Sequence, residues 1–171
     1  MVRRQKPVCR GGRTIIYGVK VYISSRKAAV CEQVAAELSK MGSYIAIPAD
    51  LATAEGREAL VNALNEREEK LDILVNNAGA TWGAPLESFP EAGYDKTMDI
   101  NVKALFMLTQ ALLPLLKASG SAETPARVLN IGSIDGLRVP IVDNFPYTAS
   151  KAAVHHLLLS KYQILEVLNA C

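Results

Sequence analysis

Short strand-like apolar runs alternate with segments of helical periodicity along most of this chain. VKVYIS (19–24) is β-branched and aromatic, and the segment after it has apolar residues at helical spacing and stops at Gly42. SYIAIPAD, LDILVN and ARVLNIGS repeat the strand pattern, with helical patterns between them. Strands that are apolar on both sides need helices on both faces of a parallel sheet. The sequence therefore predicts an α/β fold with a doubly wound, Rossmann-like parallel sheet.

One core accounts for most of the chain. Of the 171 residues, 50% are hydrophobic and 21% are charged, which suits a single globular domain. We expect residues 19–171 to form this domain as an incomplete Rossmann-like unit. Thr53 is expected to cap a helix that begins at Ala54, and Pro114 predicts a kink late in a long helix over residues 90–119.

The N-terminal end of the chain is strongly basic, because residues 1–31 contain Lys and Arg but no acid. A nucleic-acid arm is disfavoured, since no interleaved aromatic residues or recognition-helix pattern accompany the charge. Pro7 and the Gly11-Gly12 pair would break a targeting helix. We therefore expect residues 1–18 to be a poorly ordered leader with no nucleic-acid partner.

Membrane, disulfide and metal signals are weak. No apolar run reaches the length of a membrane span, and the N-terminus lacks a secretory signal, which predicts a cytoplasmic protein. Cys9, Cys31 and Cys171 share no metal-like spacing, and the adjacent His155 and His156 cannot form an i,i+4 ligand pair. We expect neither a disulfide framework nor a metal site.

Small or polar residues follow each predicted strand. In doubly wound sheets ligands bind at the carboxyl ends of the strands, so this shared position predicts a ligand site. Each residue alone is a weak signal, because Gly and Asn are also common in turns. The residues are Ser25 and Arg26, Asp50 and Leu51, NNAG (76–79), and Ser133.

Tyr147 and Lys151 lie four residues apart in NFPYTASKAAVHH, which reads as the start of a helix. Side chains at this spacing share a helix face, and a nearby cation favours the anion of an acid, so the Tyr147 hydroxyl becomes a plausible proton donor. Ser133 could hydrogen-bond the same substrate carbonyl. A surface pair is the alternative that the spacing alone favours. Ser133 and the strand-end residues favour carbonyl reduction instead.

These motifs, in this order, resemble the short-chain dehydrogenase/reductase family. The residues that carry the resemblance are NNAG after a buried strand, Asn101 in the long helix, Ser133, and Tyr147-x-x-x-Lys151. The resemblance runs from about Val19 to Leu158. VYISSRK, PADL, NNAGATWGAPLESFP and NIGSIDGLRVP are similar to the β-ketoacyl carrier-protein reductase branch associated with rhamnolipid synthesis.

The resemblance implies a catalytic role for each matching residue. Tyr147 would donate the proton, and Lys151 would bind the nicotinamide ribose and tune the tyrosine. Ser133 would orient the substrate carbonyl, and Asn101 would hold a water in a proton relay. The implied substrate is a small carbonyl compound or an acyl thioester, and the full-length family form is expected to be a homo-oligomer.

The resemblance also implies a dinucleotide site. Asp50, with Leu51 beside it, would meet the adenine, while Asn77, Ala78 and Gly79 would line the ribose. An Arg after the second strand of such folds suits the extra phosphate of NADP. Ser25 and Arg26 therefore predict NADP as the cofactor.

Two departures from the family pattern bear on activity. The family opens with a strand and a Thr-Gly-x-x-x-Gly-x-Gly turn that places the pyrophosphate at a helix N-terminus, and this chain has only CRGGRTIIYG ahead of its first matching strand. The tail LLLSKYQILEVLNAC is expected to be helix-like and to supply no strand to the sheet. Both features predict a chain truncated at each end and a weak or inactive enzyme, unless CRGGRTIIYG serves as a substitute phosphate loop.

Two functions remain open on the sequence. The first is an NADP-dependent reductase of carbonyl compounds. The second is a truncated, non-catalytic isoform or gene-model fragment that acts at most as an interaction protein.

Overall fold

The computed structural model describes residues 8–10, 13–15, 19–157 and 165–170. The described elements follow in chain order: β1 (Val8–Arg10), β2 (Arg13–Ile15), β3 (Lys20–Ile23), α1 (Ala28–Leu38), β4 (Ser43–Ala46), α2 (Ala54–Asn65), β5 (Ile73–Asn76), a 3₁₀ turn (Leu86–Ser88), α3 (Glu91–Met98), a π-helical segment (Asp99–Lys103), α4 (Ala104–Ser119), β6 (Ala126–Ile131), a second 3₁₀ turn (Ile134–Gly136), α5 (Phe145–His156) and β7 (Leu165–Ala170).

The strands of the main fold pair in parallel, in two separate sheets. β3 pairs with β4, and β5, β6 and β7 form a second sheet in that order. β1 and β2 form an antiparallel pair of their own. The parallel pairing and the helices between the strands confirm the predicted Rossmann-like α/β class. The prediction of a poorly ordered leader over residues 1–18 falls mostly outside the described residues and stays a prediction.

The tail of the chain contains a strand, so the prediction that it supplies none is wrong. Leu165–Ala170 is β7, and it pairs with β6 in parallel over six residues, from Ala126↔Leu165 to Ile131↔Ala170. A short apolar run fits a strand or a helix equally well on periodicity alone. Pairing with β6 favours the strand, because the backbone N–H and C=O groups along that edge of β6 need hydrogen-bond partners.

The core lies between α2, α4 and the strands that these helices cover. Leu60 and Leu64 of α2 meet Leu112 and Leu116 of α4 over the buried Val128 of β6. By length and hydropathy, the helical stretch Glu91–Ser119 could cross a membrane. Its leucines lie in this core, however, and the core helix of a soluble fold passes the same test.

Two predicted helix features have different outcomes. The Oγ1 of Thr53 accepts a hydrogen bond of 3.0 Å from the backbone N–H of Gly56, so the predicted cap is confirmed. α4 runs through Pro114 to Ser119. Pro lacks the N–H of a helical hydrogen bond, and the kink that this predicts stays a prediction.

Candidate active site

A cavity of about 220 Å³ lies where β3, β4 and β5 end. Parallel strands of this fold class end on the same side, and here β3 and β4 of one sheet and β5 of the other all end at the cavity, so residues far apart in sequence share it. The structure brings six predicted cofactor residues together here: Ser25, Arg26, Asp50, Leu51, Ala78 and Gly79. The sequence predicts three more cofactor residues. Asn77 lines a larger neighbouring groove that shares Ala78 and Leu51 with the cavity, while Tyr147 and Lys151 lie on α5.

Asp50 is held by the turn that begins α2. Its Oδ1 accepts a hydrogen bond of 3.1 Å from the N–H of Ala52, and its carbonyl accepts one of 3.0 Å from the Thr53 hydroxyl. A Cβ at Gly56 would lie 2.0 Å from the Asp50 carbonyl oxygen. Only glycine therefore lets the first turn of α2 approach Asp50 this closely.

Arg26 offers an exposed cation at the rim of this cavity. It follows Ser25, whose carbonyl accepts a hydrogen bond of 3.2 Å from Ala49 and so joins the ends of β3 and β4. Among the described residues, Arg26 forms no ion pair with an acid. Its planar guanidinium can therefore bind a phosphate in a bidentate manner.

Asn101 lies in the π-helical segment and is 1% exposed. Its Oδ1 accepts from the N–H of Ala80 at 2.8 Å, and its Nδ2 donates to the Ala80 carbonyl at 2.9 Å and to the Ser150 hydroxyl at 2.8 Å. Both amide hydrogens are thus taken by protein groups. Asn101 ties the loop after β5 to helix α5.

Lys151 is buried against the end of β6, with 7% of its surface exposed. Its Nζ donates a hydrogen bond of 2.6 Å to the carbonyl of Ile131 and lies 5.7 Å from the centroid of the Tyr147 ring. Burial lowers the pKa of Lys151 below its ordinary value. The shared helix face predicted for Tyr147 and Lys151 is present, and the burial of Lys151 rules out a pair exposed on the surface.

Ser133 lies two residues beyond Ile131, where the chain leaves β6. Its Oγ accepts a hydrogen bond of 3.2 Å from the N–H of Asp135, and its carbonyl lies 3.1 Å from the Nε2 of His155. Lys151 and His155, one helical turn apart on α5, therefore contact the carbonyl groups of Ile131 and Ser133. These two contacts hold α5, which carries Tyr147, against the end of β6.

Three contributors to the site carry no local sequence signal. Ser150 accepts from Asn101, and its own hydroxyl donates to the Tyr147 carbonyl at 2.7 Å. Lys96 lines the 220 Å³ cavity and lies 5.2 Å from the centroid of the Trp82 ring. Gly136 allows the turn after Ser133 to touch α5. All three roles depend on contacts between segments distant in sequence.

In the part of the chain that the structure describes, no group of three or more His, Cys, Asp or Glu side chains could hold a metal ion. Cys31 is a free, buried thiol whose Sγ donates weakly to the Ile23 carbonyl at 3.4 Å.

A family model described as short chain dehydrogenase matches residues 12–164. The chain belongs to this family. Among the relatives of this short-chain dehydrogenase is the rhamnolipids biosynthesis 3-oxoacyl-[acyl-carrier-protein] reductase of Pseudomonas aeruginosa, 47% identical over 154 residues, or 89% of this chain and 60% of that protein. The uncharacterized oxidoreductase YxjF of Bacillus subtilis is 30% identical over 138 residues, or 80% of this chain and 52% of that protein.

Solved structures also match this short-chain dehydrogenase. The Pseudomonas aeruginosa RhlG/NADP active-site complex aligns with a TM-score of 0.85 and 46% identity, over 89% of this chain and 61% of that one. The NADH-dependent reductase A1-R′ of alginate metabolism aligns with a TM-score of 0.80 and 27% identity, over 89% and 65%. The resemblance inferred from the sequence is confirmed. This short-chain dehydrogenase spans about 60% of the length of the first of its curated relatives.

Proposed function

We propose that the chain is an NADP-dependent reductase of carbonyl compounds, with β-ketoacyl thioesters as its substrate class and Tyr147 as the proton donor. One observation carries this proposal. The Nζ of Lys151 bonds the carbonyl of Ile131 at the end of β6, two residues before Ser133, and lies 5.7 Å from the centroid of the Tyr147 ring. A buried cation near a phenol, at a strand end that also carries a hydroxyl, suits the protonation of a carbonyl oxygen.

In the proposed proton transfer, the Tyr147 hydroxyl gives its proton to the carbonyl oxygen as that oxygen gains charge. The Lys151 ammonium favours the phenolate that forms. The Ser133 hydroxyl accepts from the N–H of Asp135, which leaves its own hydrogen to donate to the same carbonyl oxygen. When bound, the nicotinamide supplies the hydride.

Lys151 can also hold the cofactor. An ammonium has three hydrogens, and the Ile131 carbonyl takes one. The others can donate to ribose hydroxyls. Asn101 has a narrower role than the resemblance implies, because both of its amide hydrogens bond protein groups. A water in a proton relay would have to donate to an Asn101 oxygen.

The cavity at the strand ends fits the adenosine half of NADP. Arg26 would bind the extra phosphate, and Lys96 adds a second cation to the lining. Asp50 and Leu51 would meet the adenine, while Ala78 and Gly79 would line the ribose, with Asn77 on the groove side. The proposal of NADP is supported by the relative solved as an NADP complex.

Exposed apolar side chains in the segment after Ser133 support an acyl substrate. Leu137, Val139, Ile141 and Val142 are all largely exposed and lie between Ser133 and the start of α5 in the sequence. Exposed apolar side chains that gather in a patch mark binding surfaces, and we infer such a patch here. The relative named as a 3-oxoacyl-[acyl-carrier-protein] reductase supports the same substrate class.

Tyr147→Phe tests the proposal. Purified protein is mixed with NADPH and a β-keto thioester, and loss of NADPH absorbance is followed. Removing only the hydroxyl is expected to lower turnover about 100-fold or more, with cofactor affinity unchanged. Tyr94→Phe, on the half-exposed Tyr94 of α3, is the control and should retain full turnover. Ketone reduction at the wild-type rate by Tyr147→Phe would contradict the assigned role.

The second function, a non-catalytic interaction protein, is favoured by the division of the strands into two sheets. NADPH binding without any turnover in wild-type protein would support it. We also propose that the full-length form is a homo-oligomer, because Tyr94, Phe106 and Met107 expose apolar surface on α3 and α4. Sedimentation analysis at several protein concentrations tests this proposal.

A further inference from the structure

Lys96 of α3 lies between the 220 Å³ cavity and an indole ring. It lines the cavity together with Arg26 and Asp50. Its Nζ also lies 5.2 Å from the centroid of the Trp82 ring. Among the described residues, Lys96 forms no ion pair with an acid. The indole face is therefore the partner that this cation has in the structure.

Helix α3 holds the Trp82 ring in place beside Lys96. A Cβ at Gly93 would lie 2.7 to 2.9 Å from three ring atoms of Trp82. Only glycine therefore lets the ring lie directly on the first turn of the helix. Lys96 follows Gly93 by three residues and so shares its helix face. Gly93 thus keeps the ring within reach of the Lys96 ammonium.

The contact between Lys96 and Trp82 is one that an anion can replace. Trp82 is 37% exposed, and a cation over a ring that water reaches is bound weakly. An ammonium that donates to a phosphate oxygen forms a charge-assisted hydrogen bond, which is stronger. The long, flexible stem of lysine lets the Nζ turn from the ring to a ligand in the cavity. A phosphate in the cavity would therefore draw Lys96 away from the indole.

The charges of the cavity lining favour an anion only because of Lys96. The charged lining residues are Arg26, Asp50 and Lys96. Arg26 and Asp50 carry opposite unit charges, so together they add no net attraction for an anion. Lys96 makes the lining net positive, and a phosphate ester carries about 1.5 to 2 negative charges at neutral pH. Lys96 thus supplies the excess charge that a phosphate needs.

We propose that Lys96 is a further specificity-determining residue of this site and binds the 2′-phosphate of NADP together with Arg26. In the free protein the Lys96 ammonium rests on the Trp82 ring, and it leaves the ring when the phosphate enters the cavity. The inference rests on the proposed function, which assigns this cavity to the adenosine half of NADP. It adds a second phosphate ligand from α3 and makes the surroundings of Trp82 depend on whether the cavity is occupied.

The emission of Trp82 tests the proposal, because Trp82 is the only tryptophan of the chain. The probe is adenosine 2′,5′-bisphosphate, and adenosine 5′-monophosphate, which lacks the 2′-phosphate, is the control. We expect the bisphosphate to change the emission of wild-type protein and the monophosphate to leave it unchanged. The affinity of each nucleotide is measured separately by calorimetry.

Lys96→Met keeps the length of the side chain and removes its charge. It should bind the bisphosphate about tenfold more weakly or worse, with the affinity for the monophosphate unchanged. Its emission should not respond to the bisphosphate, because no cation rests on the indole. Lys96→Arg should retain the preference for the bisphosphate, since a guanidinium also binds phosphate. Lys103→Met is the matched control, because Lys103 pairs with Asp99 and is not among the residues that line the cavity.

Trp82→Leu tests the competition in the opposite direction. Without the ring, Lys96 is no longer held away from the cavity, so the bisphosphate should bind about two- to fivefold more tightly. Damage to the fold would not produce a tighter complex. Equal bisphosphate affinities of wild type and Lys96→Met, an emission change of equal size in these two proteins, or weaker binding by Trp82→Leu would overturn the proposal.

These measurements need no turnover, so the assignment of Lys96 and the proposed function can fail separately. A loss of bisphosphate affinity in Lys96→Met, together with no ketone reduction by the wild type, would support the assignment and contradict the reductase function. Reduction of a β-keto thioester by the wild type, with an unchanged bisphosphate affinity in Lys96→Met, would contradict the assignment alone.

Discussion

Gly136→Ala should damage both the stability and the chemistry of this protein. Gly136 lies in the turn after Ser133, where a Cβ would lie 2.6 Å from the backbone carbon of Lys151 and 2.7 Å from the backbone nitrogen of Ala152. Carbon atoms pack best at about 3.5–4.0 Å. The turn and helix α5 would therefore have to separate by about 1 Å, because helix backbone cannot rotate away as a side chain can.

The size of the displacement sets the expected losses of stability and of turnover. Overpacking of this kind costs about 1–3 kcal/mol of the free energy of unfolding. The same shift moves Ser133 away from Tyr147 and Lys151, and a misplacement of about 1 Å can cost about 100-fold in turnover. The loss of turnover should therefore exceed what the loss of folded protein explains.

Urea unfolding followed by circular dichroism, together with NADPH-dependent reduction of a β-keto thioester, measures both effects. Gly83→Ala is the matched control, because a Cβ there would lie 3.6 Å from its nearest neighbour, the Asp143 carbonyl. If Gly136→Ala unfolds and turns over like Gly83→Ala, the close approach of the turn to α5 has no importance for the site.

Three other changes have defined outcomes. Arg26→Ala should reduce the preference for NADPH over NADH in binding titrations, while Arg67→Ala, at an exposed residue in the turn after α2, should not. An unchanged preference in Arg26→Ala would refute the phosphate contact. Burial lowers the pKa of Lys151 in the folded protein. The wild type should therefore gain stability relative to Lys151→Met as pH rises from the folded pKa toward the unfolded value of about 10.4. Urea midpoints of the two proteins that change in parallel over that range would contradict this. Burial raises the pKa of Glu68, but hydrogen bonds from Lys20 and Tyr22 more than offset this effect and lower it overall. Stability from Glu68 is thus present above about pH 4.3 and lost as pH falls through the folded pKa, so acid titration should destabilise the wild type more than Glu68→Gln, and equal acid sensitivity would be the contrary result.

The residues proposed to bind the cofactor could be predicted to lie together, because the parallel strands of this fold class end on the same side of the domain. Ser25, Asp50 and Gly79 are distant in sequence, yet each directly follows a recognisable apolar strand. Fold class alone then places them around one cavity. The i,i+4 spacing of Tyr147 and Lys151 fixes a shared helix face in the same way, since helix geometry is local.

Features that depend on distant partners could not be predicted. Ser150 looks like any small helical residue until Asn101 is folded against it. Gly136 shows its role only when α5 packs on the turn. The strand Leu165–Ala170 is ambiguous as sequence, because the open edge of β6 decides its conformation rather than its own periodicity.

The hydrogen bonds of Asn101 make the two halves of the site thermodynamically dependent on each other. Asn101 bonds Ala80, which lines the cavity at the strand ends, and Ser150, which precedes Lys151 on α5. Residues that share one hydrogen-bond network commonly show interaction free energies of about 0.5–3 kcal/mol. Substitutions at Ala80 and at Ser150 should therefore have effects on stability that do not add.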